Sequence, residues 1–87
     1  MNIKVNGKVR YIGDMTEVGT KENQHAFKVL IVETLDNSYL AVHCWDETMD
    51  QTKSFKLNQI IEVECRLESH RNKKNRDLWY HKLLLKA

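Results

Sequence analysis

Between Ile61 and Glu68 apolar and charged residues alternate without interruption, Ile61, Val63, Cys65 and Leu67 against Glu62, Glu64, Arg66 and Glu68. A period of two is the mark of a β-strand with one dry face and one wet face. Such a strand needs partners, and a chain of 87 residues has room for one domain around one modest core. With no proline and only three glycines, the sequence offers no linker at which a second domain would begin. The remaining extended segments are therefore expected to share one core with this strand.

Four further strands are predicted. The first, Ile3–Ile12, carries Gly7 and is followed by Gly13, and glycine in a strand suggests a bulge or sharp bend. Residues 15–24 are polar, contain Gly19 and read as a loop. The second strand, His25–Thr34, places Phe27, Val29 and Ile31 on one face and Ala26, Lys28, Leu30 and Val32 on the other. Asp36-Asn37 is turn chemistry before the third strand, Tyr39–Trp45. Glu47–Leu57 is the one plausible helix, with Asp46 as its N-cap and Phe55 and Leu57 closing the end of the core. The strand at Ile61 comes fourth. The fifth, Leu78–Lys86, is expected to turn Leu83 and Leu85 inward and Lys82 and Leu84 outward. The order β-β-β-α-β-β, with a long bent first strand, is the pattern of an all-β, five-stranded OB-fold barrel spanning residues 1–87 as a single domain.

The third strand carries the functional signal. Leu40, Val42 and Cys44 project to the core side, and Tyr39, Ala41, His43 and Trp45 to the other. Aromatics on the non-core face of a sheet are how such proteins stack unpaired bases. The competing reading buries Trp45 against the helix and leaves Tyr39 as a surface or interface residue. Lys8, Arg10 and Lys28 are placed on non-core faces of the first two strands, where they could follow a phosphate backbone. His70-Arg-Asn-Lys-Lys-Asn-Arg76 sets Arg71, Lys73, Lys74 and Arg76 between the fourth and fifth strands. In this fold that loop closes over ligand. Arg66, among outward glutamates, is expected to form a cross-strand ion pair, on a sheet face lying away from the phosphate path. On the fifth strand Trp79 shares parity with the core leucines, which makes Tyr80 the better stacking residue.

Composition narrows the alternatives. Net charge is only +2, so local clusters matter more than the whole-molecule field. No apolar run reaches the roughly 20 residues of a membrane span, and the N-terminus lacks the apolar core of a signal peptide. A cytoplasmic protein without membrane association is expected. Cys44 and Cys65 read as reduced core residues, and the histidines at 25, 43, 70 and 81 show no metal-ligand spacing with them. No nucleophile triad, phosphate-binding glycine loop or metalloprotease motif is present. The expectation is a non-enzymatic protein with no cofactor, metal or small-molecule substrate.

From Tyr39 onward the sequence resembles bacterial single-stranded DNA-binding proteins of the OB type. The resemblance rests on the aromatic strand, on Asp46-Glu-Thr-Met-Asp50 after Trp45, and on Val63-Glu-Cys-Arg-Leu-Glu-Ser-His-Arg71. The last is similar to the family's V-E-G-R-L-x-x-R stretch, with cysteine for glycine. Arg76-Asp-Leu-Trp-Tyr-His81 is similar to the family's arginine-aromatic entry into the fifth strand. Short bacterial single-OB proteins share an aromatic pair at the Trp79-Tyr80 position, and primosomal OB proteins are similar in build. The resemblance implies DNA stacking by Tyr39 and Trp45, which keep the family's six-residue separation. Other stacking positions of the family fall near Leu35 and Asn72, and the chain stops at Leu85-Lys-Ala87 without an acidic tail. A minimal, weaker binder of single-stranded DNA is implied, assembled as a homo-oligomer (dimer or tetramer) and acting in DNA replication or repair. An RNA-binding barrel and a protein-interaction or oligomerisation module are the alternatives.

Overall fold

The computed structural model describes residues 1–86. Its strands are β1 (Asn2–Ile12), β2 (Thr16–Gly19), β3 (Gln24–Thr34), β4 (Tyr39–Trp45), β5 (Ile60–Arg71) and β6 (Trp79–Leu85), with a 3₁₀ helix at Asp46–Ser54 between β4 and β5. The sheet runs β1-β5-β6-β4-β3-β2, and a further pairing of β1 with β3 closes the first five of these elements into a ring. All neighbours in the ring are antiparallel except β4 and β6, which run parallel through Val42–Leu83 and His43–Leu84. This is the OB barrel expected from the element order.

Closure depends on β1 serving two partners. Its first half pairs with β5 from Asn2 to Lys8, and its second half with β3 from Gly7 to Ile12. At Gly7 both partners are engaged, and a Cβ there would lie 2.3 Å from the Glu33 carbonyl oxygen and 2.7 Å from Val32 Cγ1. Glycine is required at this crossing by close approach of the backbones. The register break lies not at a glycine but at Arg10, between Val9 and Tyr11. A bulge there increases the local twist and turns β1 from one partner toward the other.

The alternation sets the core. Val5, Val9, Leu30, Val32, Val42, Cys44, Ile61, Cys65, Leu83 and Leu85 are buried, with Phe55, Val63 and Leu67 packed against them. Leu83 and Leu85 point inward as predicted. Burial pushes the thiols of Cys44 and Cys65 up to about 11, so both remain protonated core groups.

Two elements and one residue depart from expectation. Residues 16–19 are strand rather than loop: β2 continues along the edge of β3 that β1 has just left, pairing Thr16 with Phe27 and Gly19 with Gln24. Every β2 residue is exposed, so no apolar alternation marked it. The helix is 3₁₀ rather than α, and ends at Ser54. Thr48, Thr52 and Ser54 each donate a hydroxyl hydrogen bond to the carbonyl three residues earlier, at 3.0, 2.6 and 2.8 Å. Those bonds match the i+3 eclipsing of a 3₁₀ turn. Thr48 and Thr52 are the helix residues turned to the barrel. Phe55 closes the core as expected, whereas Leu57 is 61% exposed and does not.

Asp46 does not cap the helix. At φ 40° its carboxylate reaches back to β3, accepting from the Ala26 N–H at 3.0 Å and meeting His25 Nδ1 at 3.0 Å. The Ala26 N–H, followed by the His25 contact, holds the Asp46 carboxyl below the usual carboxylate range. The junction between β4 and the helix is thereby tied to the start of β3.

Candidate nucleic-acid interface

The register of β3 on β4 lays out the non-core face in rows. Phe27 stands opposite Trp45, Val29 opposite His43, Ile31 opposite Ala41 and Glu33 opposite Tyr39. Neighbouring strands extend each row. Thr16 adjoins Phe27, Tyr11 adjoins Ile31, and Lys8 adjoins Glu33. On the other side Leu84 adjoins His43, and Arg66 adjoins Leu84. The face predicted from β4 alone is therefore a continuous surface across the barrel wall.

Its centre is aromatic. Phe27 meets Trp45 with ring centroids 4.6 Å apart and His43 at 5.9 Å, both tilted by about a third of a right angle. Trp45 and His43 are half-buried, and Ala41 between His43 and Tyr39 is small and exposed. Tyr39 is 64% exposed. The small side chain leaves open the space that a flat ring would need to reach both neighbours. His43 Nδ1 is buried and has no hydrogen-bond partner among the described residues. Burial, and secondarily the Lys82 charge, hold the His43 imidazole below its ordinary 6.5, in the neutral form at pH 7.

The charges divide into engaged and free. Arg10 donates to Glu33 at 2.9 Å and to Asn58 Oδ1 at 2.7 Å. The Arg10 guanidinium, with smaller contributions from Tyr39 and Lys8, holds the Glu33 carboxyl low. A phosphate would have to compete with Glu33 for Arg10. Lys8 lies on the aromatic face as predicted, across from Glu33. Lys28 does not. It pairs with Cys44 and shares the face of Leu30 and Val32, because β3 turns Phe27 rather than Lys28 toward Trp45.

The β5–β6 hairpin reaches beyond the ring, which changes the meaning of strand parity there. Trp79 keeps the parity of Leu83 and Leu85 yet is 55% exposed, since no other strand covers the hairpin at that height. It stacks under the Arg71 guanidinium, 5.4 Å from its ring centroid. Tyr80 is exposed on the opposite face, and its hydroxyl accepts from Asn72 Nδ2 at 2.7 Å. The loop itself is ordered by its own side chains. Asn72 Oδ1 accepts from the Lys74 and Asn75 amides, and Arg71 Nε donates to the Arg76 carbonyl at 2.6 Å. Among the described residues, Arg71, Lys73, Lys74 and Arg76 form no ion pair with a carboxylate.

A cleft of about 650 Å³ opens where this hairpin leaves the barrel, lined by Trp45 and Thr48 on one side, Leu84 on the floor, and Arg66, Glu68, His70 and Lys82 opposite. The glutamate face was expected to lie apart from the aromatic face, and for Glu68 it does not. Barrel curvature brings Glu68 to the same cleft as Trp45. Arg66 pairs with Glu68 along its own strand rather than across strands, and His70 Nε2 meets the other carboxylate oxygen at 3.3 Å. Glu62 and Glu64 are paired elsewhere, with Lys4 and Lys86, each at 3.7 Å. Apart from Trp45, the cleft residues are not singled out as site residues from sequence, and neither is Phe27. Phe27 shares parity with Val29 and Ile31, but only the register places it on Trp45.

With this geometry in place, comparison with solved structures identifies the architecture. The second OB-fold domain of replication protein A from Methanococcus maripaludis is similar over 100% of this chain and 80% of that one, with TM-score 0.69 and 16% identity. The mitochondrial single-stranded DNA-binding protein Rim1 from S. cerevisiae is similar over 100% of this chain and 90% of that one, with TM-score 0.67 and 10% identity. The chain is an OB-fold barrel. No family model matches the sequence, and no curated protein matches it significantly. At these identities the likeness is one of fold, and the arrangement of side chains is this chain's own.

Proposed function

We propose that this OB barrel binds single-stranded DNA without catalysis, stacking bases along the β3–β4 face and holding phosphates with the β5–β6 loop. The observation that carries the reading is the Phe27–His43–Trp45 cluster continued by an exposed Tyr39 on the non-core face. An aromatic there accepts any base, because each base has a π-face, at about 1–3 kcal/mol per stack. Phe27 backs Trp45, so the indole is already ordered before a base arrives. Lys73, Lys74 and Arg76, without a carboxylate partner among the described residues, and Arg71 fixed over Trp79 supply the positive charge. Likeness in fold to a protein named for single-stranded DNA binding supports DNA over RNA. A cytoplasmic role in replication or repair, and assembly into a homo-oligomer, belong to the same proposal.

Titration with a polythymidine oligonucleotide tests it through tryptophan fluorescence. Quenching is expected at low salt, with affinity falling as salt rises. Absence of quenching, or a folded Trp45→Ala variant that binds as tightly as the parent, overturns the stacking reading. Light scattering on the eluting protein reports the oligomeric state, and a monomer overturns the assembly.

A further inference from the structure

We infer that the cleft between Trp45 and the β5–β6 hairpin is a base-reading subsite in which Glu68 and Arg66 select guanine. The inference rests on the proposed binding of single-stranded nucleic acid and adds a sequence preference to it.

The argument begins with the acid. Among the described residues, Glu68 is the one carboxylate lining a cleft that otherwise offers Arg66, His70, Lys82 and Lys86. It is held in place from two sides, Oε1 by Arg66 and Oε2 by His70, and its side chain is only 30% exposed. A fixed carboxylate repels phosphate. A carboxylate and a phosphate both only accept hydrogen bonds, so the group that can bond Glu68 itself is a donor on a base edge and not the backbone.

Trp45 supplies the platform for that base. Its ring is backed by Phe27 and it lines the cleft together with Arg66 and Glu68, so a base stacked there is brought beside the wall formed by β5. That wall has a defined polarity. An ionised carboxylate only accepts hydrogen bonds, and a guanidinium only donates them. Each carboxylate oxygen keeps a lone pair beyond its existing partner. The pair thus presents two acceptors beside a donor.

Guanine is the base with the complementary edge, a ring imino proton and an exocyclic amino group beside a carbonyl oxygen. Thymine sets two carbonyl oxygens around its single imino proton, and one of these would face the carboxylate. Cytosine has one amino donor beside two acceptors, which leaves one carboxylate oxygen without a partner. Hypoxanthine keeps guanine's imino proton and carbonyl and lacks only the amino group, so it isolates the second hydrogen bond to Glu68.

Fluorescence anisotropy on labelled polythymidine carrying one central guanosine, one central inosine or thymidine throughout tests the subsite with the full chain. Guanosine is expected to bind at least about five-fold tighter than either of the others, the lower end for a bidentate base contact. In Glu68→Gln this preference should fall below two-fold, while binding to plain polythymidine persists. Equal affinity for guanosine and inosine in the parent protein overturns the inference and leaves the stacking proposal standing, and this comparison needs no variant to fold. Failure of all three oligonucleotides to bind overturns the stacking proposal and the subsite with it.

Discussion

Replacing Tyr39 by alanine separates stacking from every other contribution to binding. Tyr39 is 64% exposed at the start of β4, and its ring takes no part in the buried core. Truncation should leave the fold intact and shift the melting temperature by less than about 4 °C, as for surface substitutions within about 0.5 kcal/mol. Loss of one base stack costs about 1–3 kcal/mol, which is a fall in affinity of roughly five- to 150-fold. No charge is removed, so the slope of log affinity against log salt should not change. Tyr39→Phe keeps the ring and should bind like the parent, even though the tyrosine hydroxyl helps to hold Glu33 ionised. Anisotropy titrations at four salt concentrations give affinity and slope together. An affinity loss below two-fold in Tyr39→Ala, or an equal loss in Tyr39→Phe, would refute stacking at this position.

Other consequences concern the barrel itself. Gly7→Ala places a methyl 2.3 Å from the Glu33 carbonyl oxygen where β1 meets both partners, and urea unfolding should show a loss of at least about 2 kcal/mol. A parent-like midpoint would mean that β1 closes the barrel differently. Because His43 titrates below 6.5 in the folded chain, the unfolded chain takes up its proton first, so stability is full above about pH 6.5 and declines as pH falls toward the lower folded value. His43→Gln should flatten that part of the stability–pH curve, and an unchanged curve would remove His43 as its source. With both thiols raised to about 11, Cys44 and Cys65 should resist alkylation at pH 8 until the protein is unfolded.

The parts of the fold legible in sequence are those where one face is covered and the other is not. Ile61–Leu67 and Leu40–Cys44 announce themselves because barrel interior and solvent impose opposite demands on adjacent residues. Where both faces meet the same environment, the period vanishes. β2 is exposed on both sides and reads as loop, and Trp79 has inward parity at a height where the barrel has no interior. The site shows the same division. Tyr39, His43 and Trp45 are read from one strand, because they share it. Phe27 behind Trp45, Lys28 on the core side and Glu68 in the cleft depend on register and on barrel curvature, which couple residues 16 or more positions apart.

Charge pairing finally bounds how this barrel can hold a polyanion. Lys4, Arg10, Lys53, Arg66 and Lys86 each have a carboxylate within 4 Å, so their fields are largely cancelled beyond a Debye length of about 8 Å. The β5–β6 loop is different, because Arg71, Lys73, Lys74 and Arg76 crowd together without an acidic partner among the described residues. A strand lying along β3–β4 and under this loop neutralises about four phosphates, and at about 0.7 counterions each the salt slope should be near −3. Lys73→Ala combined with Lys74→Ala should bring it to about −1.5, weakening all sequences alike. A parent slope steeper than about −6.5 would exceed what the nine Lys and Arg side chains without a carboxylate partner among the described residues can neutralise, and would require a paired cation such as Arg10 or Arg66 to leave its glutamate for phosphate. That outcome would be inconsistent with a Glu68–Arg66 pair that stays assembled to read a base, so one salt titration bears on both the path of the strand and the subsite.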